Sequence, residues 1–273
     1  MTAKKGMLTL RTEVVRAAQE ATVPVNDHDR AIILGQLAGL LAVHPKIGGK
    51  IAFKGGAIMH LVDGSPRLSR DLDGVMVAGG PIRERVVREA LGTPEARKIV
   101  REVGRFSTGS EGSLRFPVIV CHPLSGIGDV TVSLSIHWDH PLLLKPDTTK
   151  VTVQGRDITL LVVARIERVA EKVRAFLDRG LDRDAFDLYQ FSQNGLTPEE
   201  TAQLANLVER KMHEDEEIET GVHLHERFDA HIAGLASSWG TGSSLVVTRA
   251  VPAWTDVEPK VKSFRRYVPR FKS

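Results

Sequence analysis

Apolar positions recur along this chain with two different periods, and the change from one to the other divides the sequence. Residues 28–43 (HDRAIILGQLAGLLAV) have helical length and periodicity, and breaker residues between Pro45 and Gly49 close the segment. KIAF, residues 50–53, predicts a short buried strand. Gly55 and Gly56 follow it directly, and AIMHLV after them predicts the first turns of a helix that starts at the glycines. The turn-rich loop DGSPRLS then leads into a second strand, RDLDGVMV, residues 70–77. Residues 81–103 are charged and periodic and predict a helix broken near Gly92 and Pro94. Strands are expected over 114–121 and 129–137. The second alternates strictly, with Val130, Val132, Leu134 and Ile136 on one face and Asp129, Thr131, Ser133, Ser135 and His137 on the other. VTVQGRDITLLV, residues 151–162, predicts one more short strand.

From about Ala164 the period becomes helical, with helices expected over 164–179, 183–193, 197–212 and roughly 214–236. A Gly/Ser/Thr-rich loop, SSWGTGSS, and a basic end, KVKSFRRYVPRFKS, follow. No internal repeat appears at solenoid periods. The expected fold class is α+β: a lobe over residues 1–163 with a mixed sheet flanked by helices, and a helical lobe with a basic tail over 164–273.

Composition narrows the class without naming a function. The chain of 273 residues is 42% hydrophobic and 26% charged, the balance of an ordinary globular protein. It has no apolar run long enough to cross a bilayer and no signal-peptide pattern at MTAKKGMLTL, so the expectation is a cytoplasmic protein with no membrane partner. Cys121, the only cysteine, lies in the apolar run FPVIVCHP and reads as a small buried hydrophobe. The net charge of +3 is unevenly distributed, and the C-terminal segment is purely basic with three interleaved aromatics.

Asp71 and Asp73 carry the candidate chemistry. Residues two apart on a strand point the same way, so the two carboxylates project together while Leu72 enters the core. Two carboxylates this close repel unless a cation sits between them. Mg²⁺ accepts hard oxygen ligands and is commonly held by one or two carboxylates together with a substrate's phosphates. The plainer alternative is a strand-end cap beside an aspartate paired with Arg67 or Arg70. A strand, then Gly55 and Gly56, then a helix start is also how backbone approaches a phosphate and offers it free N–H groups, although two glycines make a tight turn equally well. Cradle and carboxylate pair on consecutive strands together describe metal-assisted phosphoryl or nucleotidyl transfer.

On a helical wheel, residues 164–179 give three stripes. Ile166, Val169, Val173, Phe176 and Leu177 form the core stripe. Glu167, Glu171 and Asp178 flank it with Arg174, at spacings that suit a solvated salt-bridged face. Arg165, Arg168, Lys172 and Arg179 lie together on the other flank with no acidic partner, a candidate phosphate-facing surface, with a solvated basic face as the alternative. Asp184 and Asp187 sit in the first turns of the next helix, where carboxylates also serve the helix dipole. In the tail, Lys260, Lys262, Arg265, Arg266, Arg270 and Lys272 suit phosphate neutralisation, and Phe264, Tyr267 and Phe271 suit stacking on unpaired bases; a solubilising end is the alternative. His223, His225 and His231 lack the H-E-x-x-H spacing of a zinc site.

KGGAIMHLVDGSPRLSRDLDGVMV, from Lys54, resembles the AbiEii-type nucleotidyltransferase toxins of the polymerase-β-like superfamily, which include the mycobacterial MenT-type toxins; there a KGG turn precedes an R-x-S-x-D-x-D strand. ARIERVAEKVRAFLDRGLDRDAFDLYQF, residues 164–191, is similar to the same family's later block, A-E-K followed by R-D-x-x-D-L. The two blocks occur in family order and cover about a third of the chain. The resemblance implies a polymerase-β-like nucleotidyltransferase lobe and an enzyme that transfers a nucleoside monophosphate from an NTP to RNA. The favoured acceptor is the 3′ end of tRNA, and the consequence is a block of translation by a toxin with a cognate antitoxin protein. It implies that Lys54, Gly55, Gly56, Arg67 and Ser69 bind the nucleotide, that Asp71 and Asp73 hold Mg²⁺, and that Lys172 and Asp184 complete the catalytic set. Superfamily members often carry a third carboxylate on the strand opposite the aspartate pair, and Asp129 is the candidate here. Arg165, Arg168, Arg265 and Arg266 are the candidate RNA contacts. Transfer to a protein side chain or a small molecule, or a non-catalytic relative that only binds RNA or a partner, are the alternatives.

Overall fold

In a computed structural model of the protein, the described residues are 2–78, 80–108, 112–139, 141–213, 223–241 and 245–270, with side chains described from Arg11 onward except that of Thr108. They fall into two compact units, Met1–Val163 with Val246–Arg249, and Ala164–Leu245 with Ala250–Ser273.

The first unit opens with α1 (Thr2–Glu20) and α2 (Val25–Val43). These lead into β1 (Ile51–Lys54), α3 (Gly55–Asp63), β2 (Asp71–Met76) and α4 (Glu84–Leu91). A 3₁₀ turn at Ala96–Lys98 precedes β3 (Val100–Val103), β4 (Ser107–Thr108), β5 (Ser113–Cys121), β6 (Val130–His137), β7 (Asp147–Val153) and β8 (Arg156–Val162). The strands form one mixed sheet in the order β3-β5-β6-β2-β1-β8-β7, with β4 paired to β5. β2 runs antiparallel to β1 and parallel to β6.

One face of this sheet holds the main core. α2 contributes Ile33, Leu34, Leu37 and Leu41, which pack in a single cluster with Phe53, Leu72, Phe116 and Leu134. Each such aliphatic side chain, fully removed from water, contributes about 1.5–3 kcal/mol before entropy is counted. The alternation of β6 is realised: Val130, Val132, Leu134 and Ile136 are all buried. A slip of one residue would drive Ser133 and Ser135 into that core, which pins the register. Asp29 is fully buried in α2 and accepts hydrogen bonds from the backbone N–H and hydroxyl of Ser125, holding the loop that feeds β6.

Two segments depart from their sequence-based expectation. Helix α4 stops at Leu91, and the chain returns as β3 beside β5 instead of continuing helical to residue 103; pairing with the edge of β5 outweighs local helical preference. Residues 151–162 are not one strand. β7 and β8 form a hairpin across Gln154 and Gly155, whose φ values of 50° and 71° are those of a two-residue turn that continues the strands' own twist.

The second unit comprises α5 (Arg165–Arg179), α6 (Asp182–Gln193), α7 (Pro198–His213), α8 (Leu224–Ser238), α9 (Trp254–Lys262) and a 3₁₀ turn at Ser263–Tyr267. The N-terminal part of the helix expected over 214–236 lies outside the described residues. The core stripe of α5 is buried as its spacing predicts, and Phe176 meets Phe228 of α8 edge-on at 4.9 Å. Its flanks differ from expectation. Glu167 is not solvated but fully buried, 2.8 Å from Lys211 of α7. Nor is the opposite flank an unpaired cationic stripe: Arg165 meets Glu200 at 2.6 Å, Lys172 meets Asp187 at 2.8 Å and Arg179 meets Asp184 at 2.7 Å. α6 and α7 supply the acids that this flank of α5 lacks.

The basic end is folded as well. Phe264 and Tyr267 are buried, Arg265 binds Asp229 of α8 at 2.8 Å, and Arg266 lies over the Tyr267 ring. The two aromatics assigned to base stacking are therefore core residues; Phe271 and Lys272 lie outside the described residues. Among the described residues, no helix is long and apolar enough to cross a membrane.

Candidate active site

The site lies in the first unit, on the sheet face opposite the main core. β1 runs extended through Lys54 (φ −149°, ψ −169°), and Gly55 then turns at φ +79° so that α3 begins without a linker. Only glycine tolerates both demands at this point. A Cβ on Gly55 would stand 2.5 Å from Asp73 Oδ2, in a left-handed backbone conformation that L side chains rarely adopt. A Cβ on Gly56 would stand 2.3 Å from the Arg67 guanidinium. The start of a helix, a carboxylate and a guanidinium therefore meet at van der Waals distance, and the free N–H groups of that helix end favour an anion.

Strand register arranges the rest. Asp73 lies opposite Lys54 on β1 and beside Ser135 on β6, while Asp71 lies beside Ser133, whose hydroxyl donates to Asp71 Oδ1. Leu72 between them is fully buried on the other face. Ser69 closes a small turn on the backbone of Asp71, with its hydroxyl 3.2 Å from the Asp71 carbonyl. The loop before β2 is held from far away in sequence. Leu68 N–H donates to the Val246 carbonyl and Thr248 N–H to the Pro66 carbonyl, each at 2.8 Å, so residues 246–248 form a strap beside the buried Arg67. Only the apolar run LVVT after the glycine-rich loop hinted at this segment, and nothing in it named its partner.

Lys54, Gly55, Gly56, Arg67, Ser69, Asp71 and Asp73 thus come together in one place. Asp129 does not join them. It precedes β6 and pairs with Arg101 at 2.7 Å, four residues, or about 13 Å, before the position beside Asp71. The β6 side chains that do flank the pair are serines, and the described residues contain no group of three or more His, Cys, Asp or Glu arranged to hold a metal. The donor set suits a hard divalent cation held by two carboxylates and completed by substrate oxygens, the usual manner of Mg²⁺.

Lys172, Asp184, Arg165, Arg168, Arg265 and Arg266 belong to the second unit. Lys172 is slightly exposed beside fully buried Asp187. Asp184, also fully buried, accepts both hydrogen bonds of the Arg179 guanidinium, and that bond is the chief cause of Arg179's raised pKa. Asp184 therefore positions Arg179 and does not itself present an open carboxylate. Arg165 is occupied by Glu200, and Arg168 is buried, so neither offers a free RNA-facing cation. His225 and His231 meet the carbonyls of Val268 and Leu177, in keeping with packing and not with metal binding. Burial pushes the Cys121 thiol up to about 12, which removes it as a nucleophile.

A glycine turn opening a helix beside a carboxylate pair on the neighbouring strand defines a class: enzymes that hold a phosphorylated substrate and transfer part of it. The sequence model described as "Nucleotidyl transferase AbiEii toxin, Type IV TA system" matches residues 39–239. The chain belongs to the AbiEii family and is a nucleotidyltransferase toxin of a type IV toxin–antitoxin system. Its fold is similar to that of MenT4, a nucleotidyltransferase toxin of Mycobacterium tuberculosis H37Rv, with a TM-score of 0.65 and 18% identity over 95% of this chain and 90% of that one. It is also similar to JHP933 of Helicobacter pylori, with a TM-score of 0.52 and 16% identity over 88% and 90% of the two chains. No sequence among curated proteins matches the chain.

Proposed function

We propose that the protein uses Mg²⁺ to transfer a nucleoside monophosphate from an NTP to the 3′ end of an RNA, with tRNA the favoured acceptor, and that this modification blocks translation until an antitoxin protein intervenes. The observation that carries this is the Gly55–Gly56 turn that opens α3, packed so closely against Asp73 and Arg67 that a single Cβ on either glycine would collide with the carboxylate or the guanidinium.

In this scheme the first N–H groups of α3, with Lys54, Arg67 and Ser69, bind the triphosphate. Asp71 and Asp73 would hold Mg²⁺, which supplies charge neutralisation for the phosphates and a more acidic acceptor hydroxyl. Ser133 keeps Asp71 aimed by donating to it. The acceptor oxygen bonds to the α-phosphorus, the bond to the β-phosphate oxygen breaks, and pyrophosphate leaves while the hydroxyl proton passes to solvent. Lys172, which pairs with Asp187, is the further residue proposed to be catalytic.

Incubation of the purified protein with Mg²⁺, each labelled NTP in turn and total tRNA tests this directly. Label from one NTP should enter tRNA, and Asp71→Ala should abolish it. Label recovered on protein, or none on any acceptor, would overturn the RNA assignment.

A further inference from the structure

With the basic end folded into the second unit, its buried aromatics do not provide the acceptor surface. We infer that the exposed strip formed by Arg115 of β5 and the adjoining Arg105 and Phe106 docks a single-stranded nucleic-acid end beside the carboxylate pair; this rests on the nucleotidyl transfer to RNA proposed above. The inference begins with register. Asp73 pairs with Ser135, and Ser135 pairs with Arg115 on the next strand, so Lys54, Asp73, Ser135 and Arg115 form one row across four strands on a single sheet face. Arg115 stands two strands from Asp73, about 10 Å away backbone to backbone. A guanidinium there is within a side chain's reach of the phosphodiester next to a hydroxyl poised at the pair.

Three further features make the strip a surface for nucleic acid. Ser107 of β4 pairs with Arg115, which brings the preceding Phe106, a residue 41% exposed, to the outer edge of β5. β5 is irregular between Phe116 and Ile119, and Val118 within that irregularity is 43% exposed, a second apolar side chain open on this strand. Arg105 and Arg115 are exposed with no acidic partner among the described residues, whereas nearby Arg101 and Arg88 are engaged by Asp129 and Glu84. Available cations that flank an exposed ring neutralise backbone phosphates and stack on unpaired bases, the two terms that bind single strands without reading sequence.

Fluorescence anisotropy with a labelled, unstructured RNA oligonucleotide tests the strip, using the full chain throughout. Arg115→Glu should weaken binding roughly tenfold near ~150 mM salt and flatten its salt dependence. Phe106→Ala should weaken it about 5- to 100-fold, and Arg115→Lys should restore most of the loss. NTP affinity, measured by calorimetry, should stay at the wild-type value in all three. If the Glu and Ala variants bind the oligonucleotide as wild type does while wild type labels RNA, the strip is wrong and the proposed function stands. If wild type neither binds nor labels RNA, the RNA assignment falls and the strip with it.

Discussion

The two units set charge in different surroundings. In the second unit, ionised side chains are paired inside the fold: Glu167 with Lys211, Lys172 with Asp187, Arg179 with Asp184. In the first unit, two carboxylates sit side by side on a partly open sheet face, Asp71 accepting a hydrogen bond from the neutral hydroxyl of Ser133, with Arg115 exposed in the row of Asp73. Breaking a buried pair leaves an uncompensated charge in the fold, whereas carboxylates clustered on a partly open face are a common mark of a functional site. The contrast separates a unit built to hold its shape from one built to hold a substrate.

The sharpest way to break this comparison is at the pair itself. Asp73→Asn should lower transfer by roughly 10³-fold, with the melting temperature nearly unchanged; a lower melting temperature with activity retained would make Asp73 a structural residue. Lys211→Met should do the reverse. It removes the ammonium that faces fully buried Glu167, a loss of about 3–5 kcal/mol, visible as a large shift in a urea melt, and Glu167→Leu added to it should recover much of that. Gly55→Ala comes next, because it strains the left-handed turn and crowds Asp73, costing about 1–2 kcal/mol together with NTP affinity. Arg265→Ala removes a half-exposed pair with Asp229 and should cost under about 1 kcal/mol with no change in RNA binding, in contrast to Arg115→Glu.

The smallest effect expected is none at all. The Cys121 thiol, raised by burial from an ordinary value near 9 to about 12, should not react with a disulfide reagent at pH 8 in the folded protein and should react at once in denaturant. The sign for stability follows. The unfolded chain loses this proton near 9 and the folded chain near 12, so raising pH through that interval favours unfolding.

Local periodicity made a good part of this protein legible from its residues. The strand, glycine pair and helix start at residues 51–63 are set by sterics within a few residues, as is the shared face of Asp71 and Asp73. The strict alternation of β6 and the apolar stripe of α5 likewise say which side of each element is core. What periodicity does not carry is the identity of a partner. The strictly polar face of β6 offered Asp129 as well as Ser133 and Ser135, and only the parallel register of β2 against β6 decides that the serines flank the pair. The cationic flank of α5 looked unpaired because its acids lie on α6 and α7. The strap at residues 246–248 reaches the loop before β2 across nearly 180 positions, through backbone groups that every sequence shares. Hydrophobic period is written in neighbouring residues, whereas strand register and ion-pair partners are selected by the energy of the whole packed unit.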